Sequence, residues 1–171
     1  VVQATAAAQP TTGVTTQNSL NVIDFDTNDG LKTVSQMTTL TEFTILVVFR
    51  TPTDATTNQY VFDAFDSDPR KQLLFINSNE LLSYATGTQV VTLDLHTAGS
   101  ATIASFVHPS TGNMSAYINN SLDVNTTQDP EFAGITVGNF YALGNFGLNG
   151  FIAEILIYDS ALSTTDREAV Q

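Results

Sequence analysis

Gly150-Phe-Ile-Ala-Glu-Ile-Leu-Ile-Tyr-Asp159 is followed directly by Ser160-Ala-Leu-Ser-Thr-Thr-Asp-Arg-Glu-Ala-Val170. The first stretch reads as one long strand. Alternation puts Phe151, Ala153, Ile155 and Ile157 on one face and Ile152, Glu154, Leu156 and Tyr158 on the other. Both faces are largely apolar, which predicts a strand covered on both sides, as in the middle of a sandwich. The second stretch predicts a tight turn and a short helix over Thr164 to Val170. Ser163 and Asp166 have the spacing of a capping box. The hydroxyl can accept from a first-turn N–H, and the carboxylate can reach back to the cap.

The strand pattern recurs upstream. Leu20 to Phe25 is the first segment. Phe43, Ile45, Val47 and Phe49 alternate with Thr44, Leu46 and Val48, a second strand that is nearly apolar throughout, and Pro52 ends it because proline cannot donate to a ladder. Further strands are predicted at Gln59 to Phe65, Lys71 to Asn77, Glu80 to Ala85, Thr88 to Leu93, Ala101 to His108, Asn113 to Asn119, Ser121 to Val124 and Ile135 to Tyr141. Turns of Asx, Pro and Gly separate them, and Asn119-Asn120 is a pair that tolerates positive φ. Many short strands at this spacing predict an all-β antiparallel sandwich. No long-period repeat is present, which argues against solenoids and propellers. Residues 1–19, rich in Thr, Ala and Gln, read as an extended arm or linker. The domain is expected over 20–171.

Four stretches carry a family resemblance. The strand at 150–158, followed by Ala-Leu-Ser and a short acidic helix, resembles the C-terminal signature of laminin-G-like, concanavalin A-like jelly-roll domains. Asn21-Val-Ile-Asp-Phe-Asp-Thr-Asn-Asp-Gly30 is similar to the family's opening strand and turn. Glu42-Phe-Thr-Ile-Leu-Val-Val-Phe-Arg50 is similar to its core strand. Gly112-Asn-Met-Ser-Ala-Tyr-Ile-Asn-Asn120 resembles its hairpin, with Asn120 where Gly is usual. The resemblance covers about residues 20–171. It implies a concanavalin A-like jelly roll, and it leaves the ligand open because the family holds sugar binders, protein binders and structural modules.

The 171 residues suit a single domain. A hydrophobic content of 42% supplies a core, while 17 acidic against 5 basic residues give a net charge of −12. Such a chain lacks the cations that nucleic-acid phosphates require, and no apolar run is long enough for membrane insertion. The acidity serves solubility or cation binding. There is no cysteine, so disulfides are excluded.

Enzymatic chemistry finds little support. No strand carries the paired carboxylates of a jelly-roll glucanase. His96 and His108 are each expected as solvated loop residues, and no Ser stands in a nucleophile elbow. A non-catalytic protein is expected. For metal, Asp24-Phe-Asp-Thr-Asn-Asp-Gly30 and Asp63-Ala-Phe-Asp-Ser-Asp68 hold enough oxygen donors for a hard cation such as calcium, and they equally suit turns built on Asx side chains. In the family the first and last strands run side by side, which implies that Asp26 and Asp29 approach Glu154. A lone carboxylate on an apolar strand needs a partner. Calcium, a backbone or hydroxyl partner, or an outward-facing Glu154 would each meet that need. The family's usual Asp before this Glu is Ala153 here. For sugars, Tyr84, Tyr117 and Tyr141 stand near loops or strand ends beside Asn or Asp, where an aromatic platform belongs; packing with the hydroxyl at the surface is the other reading.

These observations lead to two expectations. The first is a non-catalytic module that binds surface glycans, with calcium as its expected cofactor, within an extracellular adhesin or viral appendage. The second is a structural or decoration protein of a virion or extracellular assembly with no small ligand. The expected partners are a glycan or protein on a surface, or further copies joined through the N-terminal arm. The expected location is extracellular, at the cell surface or on a virion.

Overall fold

The computed structural model describes residues 3–34, 38–53, 58–65, 69–77, 80–85, 88–95, 97–126, 133–139 and 146–171. Its strands are β1 (Thr11–Gln17), β2 (Leu20–Phe25), β3 (Leu31–Lys32), β4 (Phe43–Arg50), β5 (Gln59–Phe65), β6 (Pro69–Asn77) and β7 (Glu80–Ala85). After them come β8 (Thr88–Leu95), β9 (Thr102–His108), β10 (Met114–Ile118), β11 (Ser121–Thr126), β12 (Gly134–Val137), β13 (Gly150–Tyr158) and the helix α1 (Thr164–Ala169). They form a seven-stranded sheet in the order β1-β2-β13-β4-β9-β10-β11 and a six-stranded sheet in the order β3-β12-β5-β6-β7-β8. All the ladders are antiparallel. The fold is a jelly-roll sandwich. No helix among the described residues is long and apolar enough to cross a membrane.

The core sits between the sheets and is built by alternation. Phe43, Ile45, Val47 and Phe49 of β4 are fully buried, and they meet Ala104 and Phe106 of β9, Leu74 and Ile76 of β6, and Ile152 of β13. As expected, β13 is an interior strand, lying between β2 and β4. Its faces differ from the simple alternation. The ladder to β4 shifts between Ile152 and Glu154, so Ile152 stands opposite Phe49 and Ile155 opposite Val47. Ala153 is a bulge residue. Ile152 therefore shares its face with Ile155, which packs on the core, and with Ile157, which is exposed at the end of the strand, while Phe151, Glu154 and Leu156 point to the other side.

Two expectations from the sequence are corrected. Residues 11–17, expected within an arm, are strand β1, paired to β2 through a turn in which Asn18 and Ser19 have φ of 50° and 65°. The segment before it docks rather than trailing, through Gln3 Nε2 donating to the Gly30 carbonyl at 3.2 Å and Gly30 N–H donating to the Ala8 carbonyl at 3.2 Å. His108 is not a solvated loop residue. It ends β9 opposite Phe43 and is fully buried, with its ring 5.4 Å from that of Phe43 and Nδ1 2.9 Å from the Thr41 carbonyl oxygen. The strand ends at His108, where the alternation places it, and the pairing with Phe43 turns that last side chain into the core.

The C-terminal segment folds over the outer face of the larger sheet. Thr44 Oγ1 donates to the Ser160 carbonyl at 2.8 Å and accepts from Leu162 N–H at 2.9 Å. Ser163 Oγ accepts from Asp166 N–H at 3.2 Å and donates to the Asp166 carboxylate at 2.7 Å. The capping box thus closes through the hydroxyl itself.

Candidate functional site

The residues singled out in the sequence do not share one place. Asp26 and Asp29 belong to one tight loop. Asn28 N–H donates to Asp26 Oδ1 at 2.8 Å, and Asp26 N–H donates to Asp29 Oδ2 at 2.9 Å. Asn139 Nδ2 clamps the loop by donating to the Asp29 carbonyl at 2.8 Å. Burial pushes the Asp29 carboxyl above its ordinary value of 3.8; the Asp26 N–H opposes the shift and the Asp26 charge adds to it. These carboxylates serve as Asx turn acceptors.

Glu154 lies elsewhere. Strands β2 and β13 are neighbours, as the resemblance implied, but their register sets Phe25 opposite Gly150 and Ile23 opposite Ile152. Asp26 is thus beyond the start of β13, and Glu154 is four residues further along it, roughly 13 Å at the rise of a strand. Glu154 is also exposed, so water meets its charge. The expected convergence of Asp26, Asp29 and Glu154 is corrected by this register. Among the described residues no group of three His, Cys, Asp or Glu side chains comes together.

Tyr117 faces outward from β10, and the Arg167 guanidinium covers one face of its ring, 3.8 Å from the centroid. That ring face is closed to a sugar. Tyr84 lies on β7 opposite Leu73 and Gln89, with its side chain outside the described ones. Tyr141 lies outside the described residues.

The outer face of β2, β13 and β4 holds a different constellation. Phe151 pairs with Asp24 on one side and with Arg50 on the other. Paired residues of antiparallel strands point the same way, so carboxylate, ring and guanidinium form one row across the sheet. They line a cavity of about 280 Å³ together with Thr15, Pro52 and Asn149. Gly150 sets the close approach of the strands, because a Cβ there would collide with the Arg50 carbonyl. Phe151 is 6% exposed and supplies an apolar wall. Asp24 Oδ2 accepts from Thr15 N–H at 3.2 Å, which ties β1 to the site. The Arg50 guanidinium lies 5.8 Å from the Phe151 centroid. Next along the same face is a second cavity, about 450 Å³, where Asn21, Asn119, Glu154 and Gln171 surround an apolar floor of Val22 and Val48.

Alternation along each strand shows Asp24, Arg50 and Phe151 facing outward, but their assembly into a row needs the strand order. The one signal in the sequence is that Arg50 continues the outward face of Thr44, Leu46 and Val48 just before Pro52.

No protein-family model matches the chain, and no characterised protein matches it in sequence. Solved structures share its fold. Domain 4 of AbnA, a GH43 extracellular arabinanase from Geobacillus stearothermophilus in complex with arabinotriose, superposes with a TM-score of 0.66 at 17% identity, covering 91% of this chain and 78% of that one. A heptameric SAP-like pentraxin from Limulus polyphemus gives 0.62 at 13% identity, covering 91% and 77%. A carbohydrate binding protein from Bacteroides ovatus gives 0.65 at 14% identity, covering 80% of this chain; the chain spans 42% of that protein's length. At these identities the likeness shows a shared fold, a two-sheet jelly-roll sandwich.

Proposed function

We propose that this chain is a non-catalytic glycan-recognition module, carried by a secreted, cell-surface or virion protein, and that it binds through the outer face of β2, β13 and β4. The row Asp24–Phe151–Arg50 carries the reading. A sugar offers an apolar C–H face and a rim of hydroxyls, and this cavity offers an aromatic wall between an acceptor and a donor. The adjoining cavity, with amides around an apolar floor, extends the same chemistry along the sheet. Sugar-binding neighbours of the same fold support the reading without deciding it.

A second reading is a structural or decoration module. One observation favours it: β1 is an open edge of the larger sheet, beside exposed Val14 at 76% and Leu20 at 72%, a surface suited to contact between copies. A glycan array probed with the multivalently displayed protein, with and without chelator, separates the two. Binding to a defined set of glycans is expected. Loss of that binding with chelator would assign the calcium requirement expected from the sequence. Binding to no glycan, combined with a stable oligomer in sedimentation, would replace the first reading with the second.

A further inference from the structure

We infer that the Arg50 cavity takes a carboxylated sugar, a uronic or ulosonic acid unit, with the sugar carboxylate on Arg50 and its hydroxyls toward Asp24. The inference rests on the glycan-binding reading and narrows it. Arg50 Nε is shielded from solvent and has no hydrogen-bond partner among the described residues. Since Nε itself is closed to a ligand, what the cavity can use is the rest of the Arg50 side chain that lines it, a guanidinium with no acceptor of its own among the described residues. Arg167 shows what a committed arginine looks like in this fold: 1% exposed, 3.8 Å from the Tyr117 centroid and hydrogen-bonded to Asn120 at 2.8 Å. Arg50 has the looser ring contact and, among the described residues, no such bond.

Asp24, the one carboxylate among the described residues that line the cavity, does not neutralise Arg50. Asp24 is two strands away across Phe151, about 10 Å between backbones at ordinary strand spacing, and one of its oxygens holds Thr15. A guanidinium fork presents two parallel N–H donors that match a carboxylate. A neutral sugar would leave that charge without a counter-ion. A simple anion on Arg50 would leave the second Asp24 oxygen with no donor from the ligand, since only Oδ2 is held by Thr15 N–H. A sugar acid meets both ends. The cavity volume, near the lower end of small-ligand pockets at roughly 300 Å³, suits one such unit.

The test is an NMR titration of the whole chain with methyl glucuronide, N-acetylneuraminic acid and methyl glucoside. Amide shifts are expected at Asp24, Arg50 and Phe151, with at least one of the two acids binding about tenfold or more tighter than the glucoside, the scale of a hydrogen bond to a charged group. Arg50→Gln should remove that preference. Arg50→Lys, which keeps the charge but not the fork, should remove most of it and serves if the Gln variant folds poorly. Equal binding of glucoside and acids, no effect of either variant, or shifts centred elsewhere would overturn the inference and leave glycan binding standing. No binding of the three sugars here, with hits on the glycan array, would likewise overturn the inference alone; no hits on either would overturn both.

Discussion

Replacing Arg167 with Met tests how the C-terminal helix is held. The guanidinium is enclosed, lies over Tyr117 and donates to Asn120 and Gln171; the Glu168 carboxylate at 3.5 Å is half in water. A desolvated cation–π stack contributes about 2 kcal/mol. The hydrogen bond to Asn120 contributes about 1.5–3 kcal/mol, and the exposed ion pair adds little. Met needs no desolvation of a charge, which returns part of the loss. A net loss of about 2–3 kcal/mol follows, a fall in Tm of roughly 4–12 °C for a domain of this size. Urea unfolding followed by circular dichroism reads it directly. A double-mutant cycle with Tyr117→Leu isolates the stack and should give a coupling of about 1–2 kcal/mol. A coupling below about 0.3 kcal/mol, the range of independent sites, would refute the claim that ring and guanidinium stabilise each other. The same Tyr117 variant should leave any glycan binding unchanged, since that ring face is closed.

Two further predictions concern the elements around the site. Gly150→Ala forces β13 away from the Arg50 carbonyl and should destabilise the chain by about 1–3 kcal/mol, the usual cost of overpacking, with amide shifts at Arg50 and Phe151; unchanged stability and spectra would contradict the close approach. Asp29 binds its proton more readily in the folded state, so its favourable contribution is complete below its ordinary value of 3.8 and is lost as pH rises through the raised folded value. The unfolding free energy of the native chain should therefore fall relative to Asp29→Asn as pH rises above the ordinary value of 3.8, and parallel curves would rule the linkage out.

Much of the scaffold was legible in the residues. The near-continuous apolar run at 43–49 predicts an interior strand, and it is one. The Asn119-Asn120 pair predicts a turn with positive φ, and both residues have it, at 48° and 72°. Ser163 and Asp166 mark the helix start. What failed did so for local reasons. The Asn18-Ser19 turn lacks glycine, so β1 reads as part of an arm. The bulge at Ala153 leaves no compositional trace, so the faces of β13 exchange without warning. The placement of Asp26 near Glu154 followed from strands being adjacent, whereas proximity along strands depends on register.

Alternation of apolar residues and turn chemistry set the class of molecule: a two-sheet, acidic, cysteine-free sandwich. These are local properties, repeated every second residue, and no neighbour is needed to express them. Which outward-facing side chains would stand together was decided only when β13 inserted between β2 and β4. Asp24, Arg50 and Phe151 are far apart in the chain, and no pairwise spacing links them. Hydrogen-bond register between strands of distant origin aligned them, and the same register kept Glu154 apart from Asp26.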